Sequence, residues 1–130
     1  MSEFGIKPGL VKKDVYEVKE EHIPKCHKEP IPVLSTPVLI SMMEDTSMFM
    51  VEDLLPDGHT TVGMGICMKH LRPVPVGAKI EVVSVLKAVE GRKLSYVVEA
   101  FFKTEKIAEG EHERFIINRK RFIERIPGPW

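Results

Sequence analysis

The longest apolar segment of the chain covers residues 36–55 and predicts a single long helix. Thr36 stands where a side-chain oxygen can cap the first turn. Pro37 follows at the first helical position, where proline is tolerated, and Gly58 lies a few residues beyond the last turn. Since apolar residues lie on nearly every face of this segment, we expect the helix to be buried.

Glu44 is the exception within the predicted helix. Its neighbours four residues before and after are Ile40 and Met48, so its carboxylate lies on an apolar row. Burying an unpaired carboxylate costs several kcal/mol, so Glu44 needs either a charged or hydrogen-bonding partner or a functional role. A structural ion pair with an arginine such as Arg114 would satisfy it as well as a functional role would.

Period-two alternation predicts five strands, at residues 11–18, 60–71, 79–89, 93–103 and 107–117. In the second strand, strict alternation places Val62, Met64, Ile66, Met68 and His70 on one face. Gly63 and Gly65 then share the opposite face, where we expect either a helix or a ligand to approach the backbone closely. Three prolines make residues 20–32 irregular, either as a lid over a pocket or as a surface connection.

This order of elements predicts an α+β domain in which a curved antiparallel sheet wraps around one helix. We expect residues 1–130 to form one domain, with a loosely ordered lead-in at 1–10 and tail at 123–130. One sheet with one helix leaves sheet edges uncovered, and dimerisation is a common way to cover them. We therefore expect a homodimer or a higher oligomer.

The composition narrows the function classes. Basic and acidic residues number 19 each, so the formal net charge is zero and nothing favours nucleic acid or an anionic membrane as a partner. Cys26 and Cys67 form no metal-type pair and no disulfide framework. The first residues lack the pattern of a signal peptide, and no apolar run is long enough to span a bilayer. We expect a cytoplasmic protein without a metal site.

Thr36, Glu44 and His70 are the candidate chemical groups. Together they would supply a hydroxyl, a carboxylate and a general base, an arrangement that activates a weak nucleophile or a water. The helix N-terminus would add N–H donors for a developing oxyanion. Each residue also has a structural alternative, because Thr36 could only cap the helix and His70 could be an ordinary sheet histidine.

Three segments resemble the fluoroacetyl-CoA thioesterase group of hotdog-fold proteins: TPVLISMMED, the stretch GICMKHLRPVPVGAKIEVVSVLKAVEGRKLSYVVEA, and EGEHERFIIN. The family places a glutamate eight residues after a helix-start threonine and a histidine 26 residues later, as at Thr36, Glu44 and His70. The resemblance implies a hotdog homodimer with catalytic residues at these positions. It also implies substrate contacts near Gly63 and Arg114.

Two departures concern substrate selectivity. Pro37 follows Thr36 where the fluoroacetyl enzyme has glycine, and the two phenylalanines of that enzyme's lid fall on His27 and Pro30. The aromatic lid that bears on the preference for a fluorinated acyl group is absent here, whereas the three catalytic positions are retained.

The resemblance therefore implies an acyl-CoA thioesterase acting on a small or medium acyl group, with coenzyme A as part of the substrate and no separate cofactor. Basic partners for its phosphates could come from Lys69, Arg72 or residues 119–121. The alternative is a non-catalytic acyl-CoA-binding or sensing module on the same fold. A hotdog dehydratase fits less well, because residues 71–74 offer no acid close after His70.

Overall fold

The structure is a computed structural model that describes residues 4–129 of the 130-residue chain. Strand β1 (Val11–Glu17) and a 3-10 turn (Glu20–His22) precede the long helix α1 (Thr36–Glu52). Strands β2 (His59–His70), β3 (Lys79–Glu90), β4 (Lys93–Phe102) and β5 (Glu105–Asn118) follow, and α2 (Arg119–Glu124) comes last.

The five strands form one antiparallel sheet in the order β1-β3-β4-β5-β2. Helix α1 packs against one face of this sheet, which confirms the predicted α+β architecture with one central helix. The core lies between them, where Leu39, Met43 and Val51 of α1 are fully buried with Leu86 and Val98 of the sheet. Strands β1 and β2 occupy the two edges of the sheet, and each pairs with one other strand.

The cap of α1 differs from the prediction. Ser35, not Thr36, is the N-cap, and its hydroxyl accepts a hydrogen bond from the Val38 N–H at 3.3 Å. Thr36 is already helical, and Pro37 occupies one of the first helical positions. Both residues carry a hydroxyl that can cap a helix; the sequence analysis assigned the cap to Thr36, and the structure gives it to Ser35. The Thr36 hydroxyl is therefore available for another contact.

The faces of β2 also differ from the prediction. The pairing of β2 with β5 shifts register between Gly63 and Gly65, which marks a β-bulge. Because a bulge adds one residue, strict alternation fails across it and the faces exchange. Gly63 therefore shares the helix-facing side with Ile66 and His70, and Gly65 faces outward. The extra residue, Met64, is 54% exposed.

Both ends of the chain differ in part from the loosely ordered segments that the sequence predicts. Within the predicted lead-in, Ile6 is buried and the Gly9 N–H donates to the Leu86 carbonyl, whereas residues 1–3 lie outside the described part. At the other end, residues 119–124 form α2, which the sequence analysis did not predict, and residue 130 is also outside the described part. The Asn118 side chain caps α2 by accepting from the Arg121 N–H. None of the described helices is long and apolar enough to cross a bilayer.

Gly110 permits a close approach between two strands. It lies in β5 opposite Met68, and a Cβ atom added to it would lie 2.6 Å from the Met68 Cα and nearer still to the Cys67 carbonyl oxygen. These are backbone atoms, which cannot rotate away as the end of a side chain can. A side chain at this position would therefore force β2 away from β5.

We expect Gly110→Ala to lower the free energy of unfolding by about 1–3 kcal/mol, the usual cost of overpacking. Urea denaturation of the variant beside wild type measures this change. Gly65→Ala is the matched control, because nothing lies within 4 Å of a Cβ added there. Equal stability of the two variants would contradict the close approach.

Candidate functional site

Thr36 and His70 meet where the start of α1 passes the end of β2. The Thr36 hydroxyl and the His70 Nδ1 lie 2.9 Å apart, within hydrogen-bond distance. Thr36 is exposed, so a ligand can reach its hydroxyl. The structure thus brings together two of the three predicted catalytic residues within one chain.

The environment of His70 favours its neutral form. Burial lowers the pKa of His70 from its usual value, and a backbone contact with Arg72 partly opposes this shift. The ring Nε2 is buried and has no hydrogen-bond partner among the described residues. A neutral imidazole beside a hydroxyl can accept the hydroxyl proton, which is the property a general base needs.

The first turn of α1 offers one free N–H donor near this pair. The Val38 N–H is taken by the Ser35 side chain, the Leu39 N–H by the Ser35 carbonyl, and Pro37 has no N–H. Within residues 4–129, the Thr36 N–H is the donor of this turn without a partner. It lies at the positive end of the helix, where a developing negative charge is stabilised.

Glu44 lies two turns further along α1, beside Gly63. Its Oε2 is 2.9 Å from the position that a Cβ on Gly63 would occupy. A side chain at position 63 would therefore displace this carboxylate. The same position is 3.5 Å from the Arg114 Nη1 and 3.7 Å from the His112 Cε1. Glu44 is half-buried, and it forms no ion pair or hydrogen bond with any other side chain of the described part. The structural ion pair with Arg114 is therefore not formed.

Arg114 is 6% exposed and is held by hydrogen bonds to Thr61 of β2. Its Nε donates to the Thr61 hydroxyl at 2.8 Å and its Nη2 to the Thr61 carbonyl at 2.9 Å. Burial lowers the pKa of Arg114, while Tyr96 and Glu44 act to raise it. The guanidinium places a fixed positive charge beside Glu44 and Gly63.

His112 completes this buried group and was missed by the sequence analysis. It is 1% exposed, its Nδ1 lies 2.8 Å from the Gly65 carbonyl, and its Nε2 lies 3.3 Å from the Arg114 Nη1. Alternation along β5 could have indicated it, because residues 112 and 114 share one face of the strand. Only the bulge in β2, however, brings the Gly65 carbonyl within its reach.

The two halves of the candidate site are separate within one chain. Gly63 and His70 are seven residues apart on β2, or roughly 20 Å along a strand. Thr36 and Glu44 are eight residues apart on α1, or about 12 Å along its axis. One half therefore holds Thr36 and His70, and the other holds Glu44, Gly63 and Arg114. In the described residues, no group of three or more His, Cys, Asp or Glu side chains is arranged to hold a metal.

Comparisons with known proteins agree with this architecture. The family described as fluoroacetyl-CoA-specific thioesterase matches residues 18–120. A fluoroacetyl-CoA thioesterase from Streptantibioticus cattleyicolor is 31% identical over 94 residues, which cover 72% of this chain and 68% of that protein.

Solved structures show the same fold. A variant of the fluoroacetyl-CoA-specific thioesterase in complex with fluoroacetate and CoA is 27% identical, with a TM-score of 0.83, covering 90% of this chain and 99% of that one. A hot-dog-like protein from Thermanaerovibrio acidaminovorans is 22% identical, with a TM-score of 0.83 and 93% coverage of both chains. The predicted hotdog fold is thereby confirmed.

The two inward-facing histidines predict a pH-dependent stability. Burial lowers the pKa of both His70 and His112, so the unfolded chain binds more protons than the folded chain at mildly acidic pH. Their contribution to stability is complete above the usual histidine pKa of about 6.5 and is lost as pH falls through the lowered values. We expect the melting temperature to fall between about pH 7 and pH 5, with a smaller fall in His112→Asn. His27→Asn, in an exposed loop, is the control, and a melting temperature that rises on acidification would contradict this assignment.

Proposed function

The chain belongs to the fluoroacetyl-CoA-specific thioesterase family, and we propose that it hydrolyses a small or medium acyl-CoA thioester at a Thr36, Glu44 and His70 site in a dimer interface. The hydrogen bond between Thr36 and His70 carries this proposal, because it pairs an exposed hydroxyl with a histidine kept neutral by burial. Coenzyme A enters as part of the substrate, and the reaction uses no separate cofactor.

The proposed chemistry begins at the Thr36 hydroxyl. His70 accepts a proton through Nδ1, either from Thr36 as it attacks the thioester carbonyl or from a water that Thr36 positions. The Thr36 N–H stabilises the resulting oxyanion at the helix N-terminus. The C–S bond then breaks, the thiolate of coenzyme A leaves, and the proton held by His70 passes to it. If Thr36 attacked, a water releases the acyl group in a second, equivalent step.

Glu44 acts from the other half of the site. In the proposal, its carboxylate orients His70 or takes part in the acyl transfer. Gly63 gives the acyl group a close approach to the backbone, and Arg114 supplies fixed positive charge beside it. Since Glu44 and His70 are far apart within one chain, this requires the halves of two different protomers to meet.

Strand β2 is suited to bring two protomers together. It is an edge strand of 12 residues whose outer edge pairs with no strand of the described chain. Two such edges that pair antiparallel about an axis near Ile66 and Cys67 would set Gly63 of one protomer opposite His70 of the other. Each dimer would then contain two composite sites, each with Thr36 and His70 from one chain and Glu44 from its partner.

The remaining parts of the proposal concern the carrier and the location. Cations for the coenzyme A phosphates would come from Lys69, Arg72 or residues 119–121, all exposed in the structure. Of these, Arg72 is ion-paired with Glu105 and would have to exchange that partner. We propose that the enzyme is cytoplasmic and that its dimers can associate into a higher oligomer.

Thiol release from a panel of acyl-CoAs, from acetyl to long-chain and aryl, tests the activity. We expect one acyl class to turn over, and Thr36→Ala and His70→Ala to lose about 100-fold or more in rate. Ser35→Ala is the matched control, because it removes the neighbouring hydroxyl that caps the helix and should affect stability more than chemistry. A higher melting temperature with acyl-CoA but no turnover would favour the binding module instead.

Mixed dimers test the composite site. When Thr36→Ala and Glu44→Ala chains are unfolded and refolded together, each mixed dimer should contain one site with all three residues. A random mixture should then recover about one quarter of wild-type activity. Thr36→Ala mixed with His70→Ala is the control, since both changes fall in the same half and no mixed dimer regains a complete site. Recovery in neither mixture would mean that the site does not combine Thr36 of one chain with Glu44 of another.

A further inference from the structure

His112 is a buried histidine with two polar contacts on opposite sides of its ring. It faces α1 from β5 and stacks on Tyr96 of β4, with ring centroids 5.9 Å apart and an interplanar angle of 26°. Its Nδ1 contacts the Gly65 carbonyl, and its Nε2 contacts the Arg114 guanidinium. Neither contact involves Thr36 or His70, and the proposed reaction gives His112 no role of its own.

The two partners define the protonation state of the ring. A carbonyl oxygen can only accept a hydrogen bond, so Nδ1 must carry a proton. A guanidinium nitrogen can only donate, so Nε2 must carry none. The contacts are therefore satisfied by the neutral ring protonated at Nδ1, and by neither of the other two forms.

Both partners bear on the place of Glu44. The Gly65 carbonyl belongs to the bulge that turns Gly63 toward α1, and the Glu44 carboxylate occupies the space that a side chain on Gly63 would fill. The Arg114 guanidinium lies beside the same space. His112 thus joins the backbone of the bulge to the positive charge that lies beside Glu44.

We propose that His112 is a positioning residue for the thioesterase reaction: its neutral ring holds the β2 bulge and Arg114 together and so sets the place of the Glu44 carboxylate. This inference rests on the proposed function, because it takes Glu44 as a residue of the site. His112 itself touches no reacting atom.

Protonation of His112 would disrupt this arrangement. A charged ring would point an N–H at the Arg114 donors and place a second positive charge beside the guanidinium. The ionisable groups that act on the ring are Arg114 and Glu113 of β5 and Glu44 of α1, and Tyr96 of β4 is stacked against it. Burial is the main cause of its lowered pKa. Arg114 acts in the same direction, while the Gly65 contact, Glu44 and Glu113 oppose it.

Nuclear magnetic resonance of the full-length protein tests the geometry without any activity. We expect the ¹⁵N shifts of His112 to show the neutral form protonated at Nδ1 at about pH 7. On acidification, the amide signals of Gly63 and Gly65 and the carboxyl signal of Glu44 should move with the same midpoint as the ring. His112→Gln should abolish that shared transition. A ring protonated at Nε2, or Glu44 and Gly63 signals that ignore the His112 titration, would overturn the inference.

Kinetics test the consequence for the reaction. His112→Ala removes both contacts, and we expect kcat to fall by about 10–100-fold with little change in KM. His112→Gln keeps an acceptor toward Arg114 and cannot gain a charge, so it should recover part of the lost activity. The acid limb of kcat/KM should show two ionisations in wild type and one in both variants.

The outcomes separate this inference from the proposed function. Full activity in Thr36→Ala and His70→Ala would overturn the proposed site, and the resonance experiment would then decide only whether His112 sets the place of Glu44. If those variants are inactive but His112→Ala keeps the wild-type kcat and both ionisations, the proposed function stands and the positioning role is wrong. Should His112→Ala not fold, His112→Gln carries the same kinetic test.

Discussion

The burial of the Arg114 guanidinium constrains both the edge of the sheet and one half of the candidate site. Removing a guanidinium charge from water costs several kcal/mol unless its N–H donors find acceptors. Here Thr61 and His112 accept from all three nitrogens of the guanidinium. Those acceptors are available only in one register of β2 on β5. The guanidinium therefore fixes how the edge strand lies on the sheet, and with it the bulge at Gly63 and the space in which Glu44 sits.

The sequence predicted elements better than it predicted faces. Strands β3 and β4 were predicted within a residue or two at either end, and buried and less buried residues alternate over most of their length. The long helix was also found within a few residues at either end. In β2 the alternation was misleading, because one extra residue at Met64 exchanges the two faces and no residue type announces it. Helix α2 was missed because its cap, Asn118, is also the last residue of β5, so no break separates the strand from the helix.

For the candidate site, too, the sequence indicated the residues but not how the fold arranges them. Thr36, Glu44 and His70 could be selected from residue type and spacing together with the family resemblance. The contact between Thr36 and His70, and the separation of Glu44 from both, depend on how α1 crosses β2, which no local pattern encodes. His112 was overlooked because its importance comes from a backbone carbonyl 47 residues away in the chain.

The adjacent hydroxyls at the start of α1 have different tasks, since Ser35 caps the helix and Thr36 reaches His70. In the proposed site, helix stability and chemistry therefore depend on separate residues, although these are neighbours in the chain. During evolution, position 36 can exchange one polar side chain for another without loss of the cap, because Ser35 provides it. A lineage on this scaffold can thus change or abandon its reaction while the fold remains under independent selection.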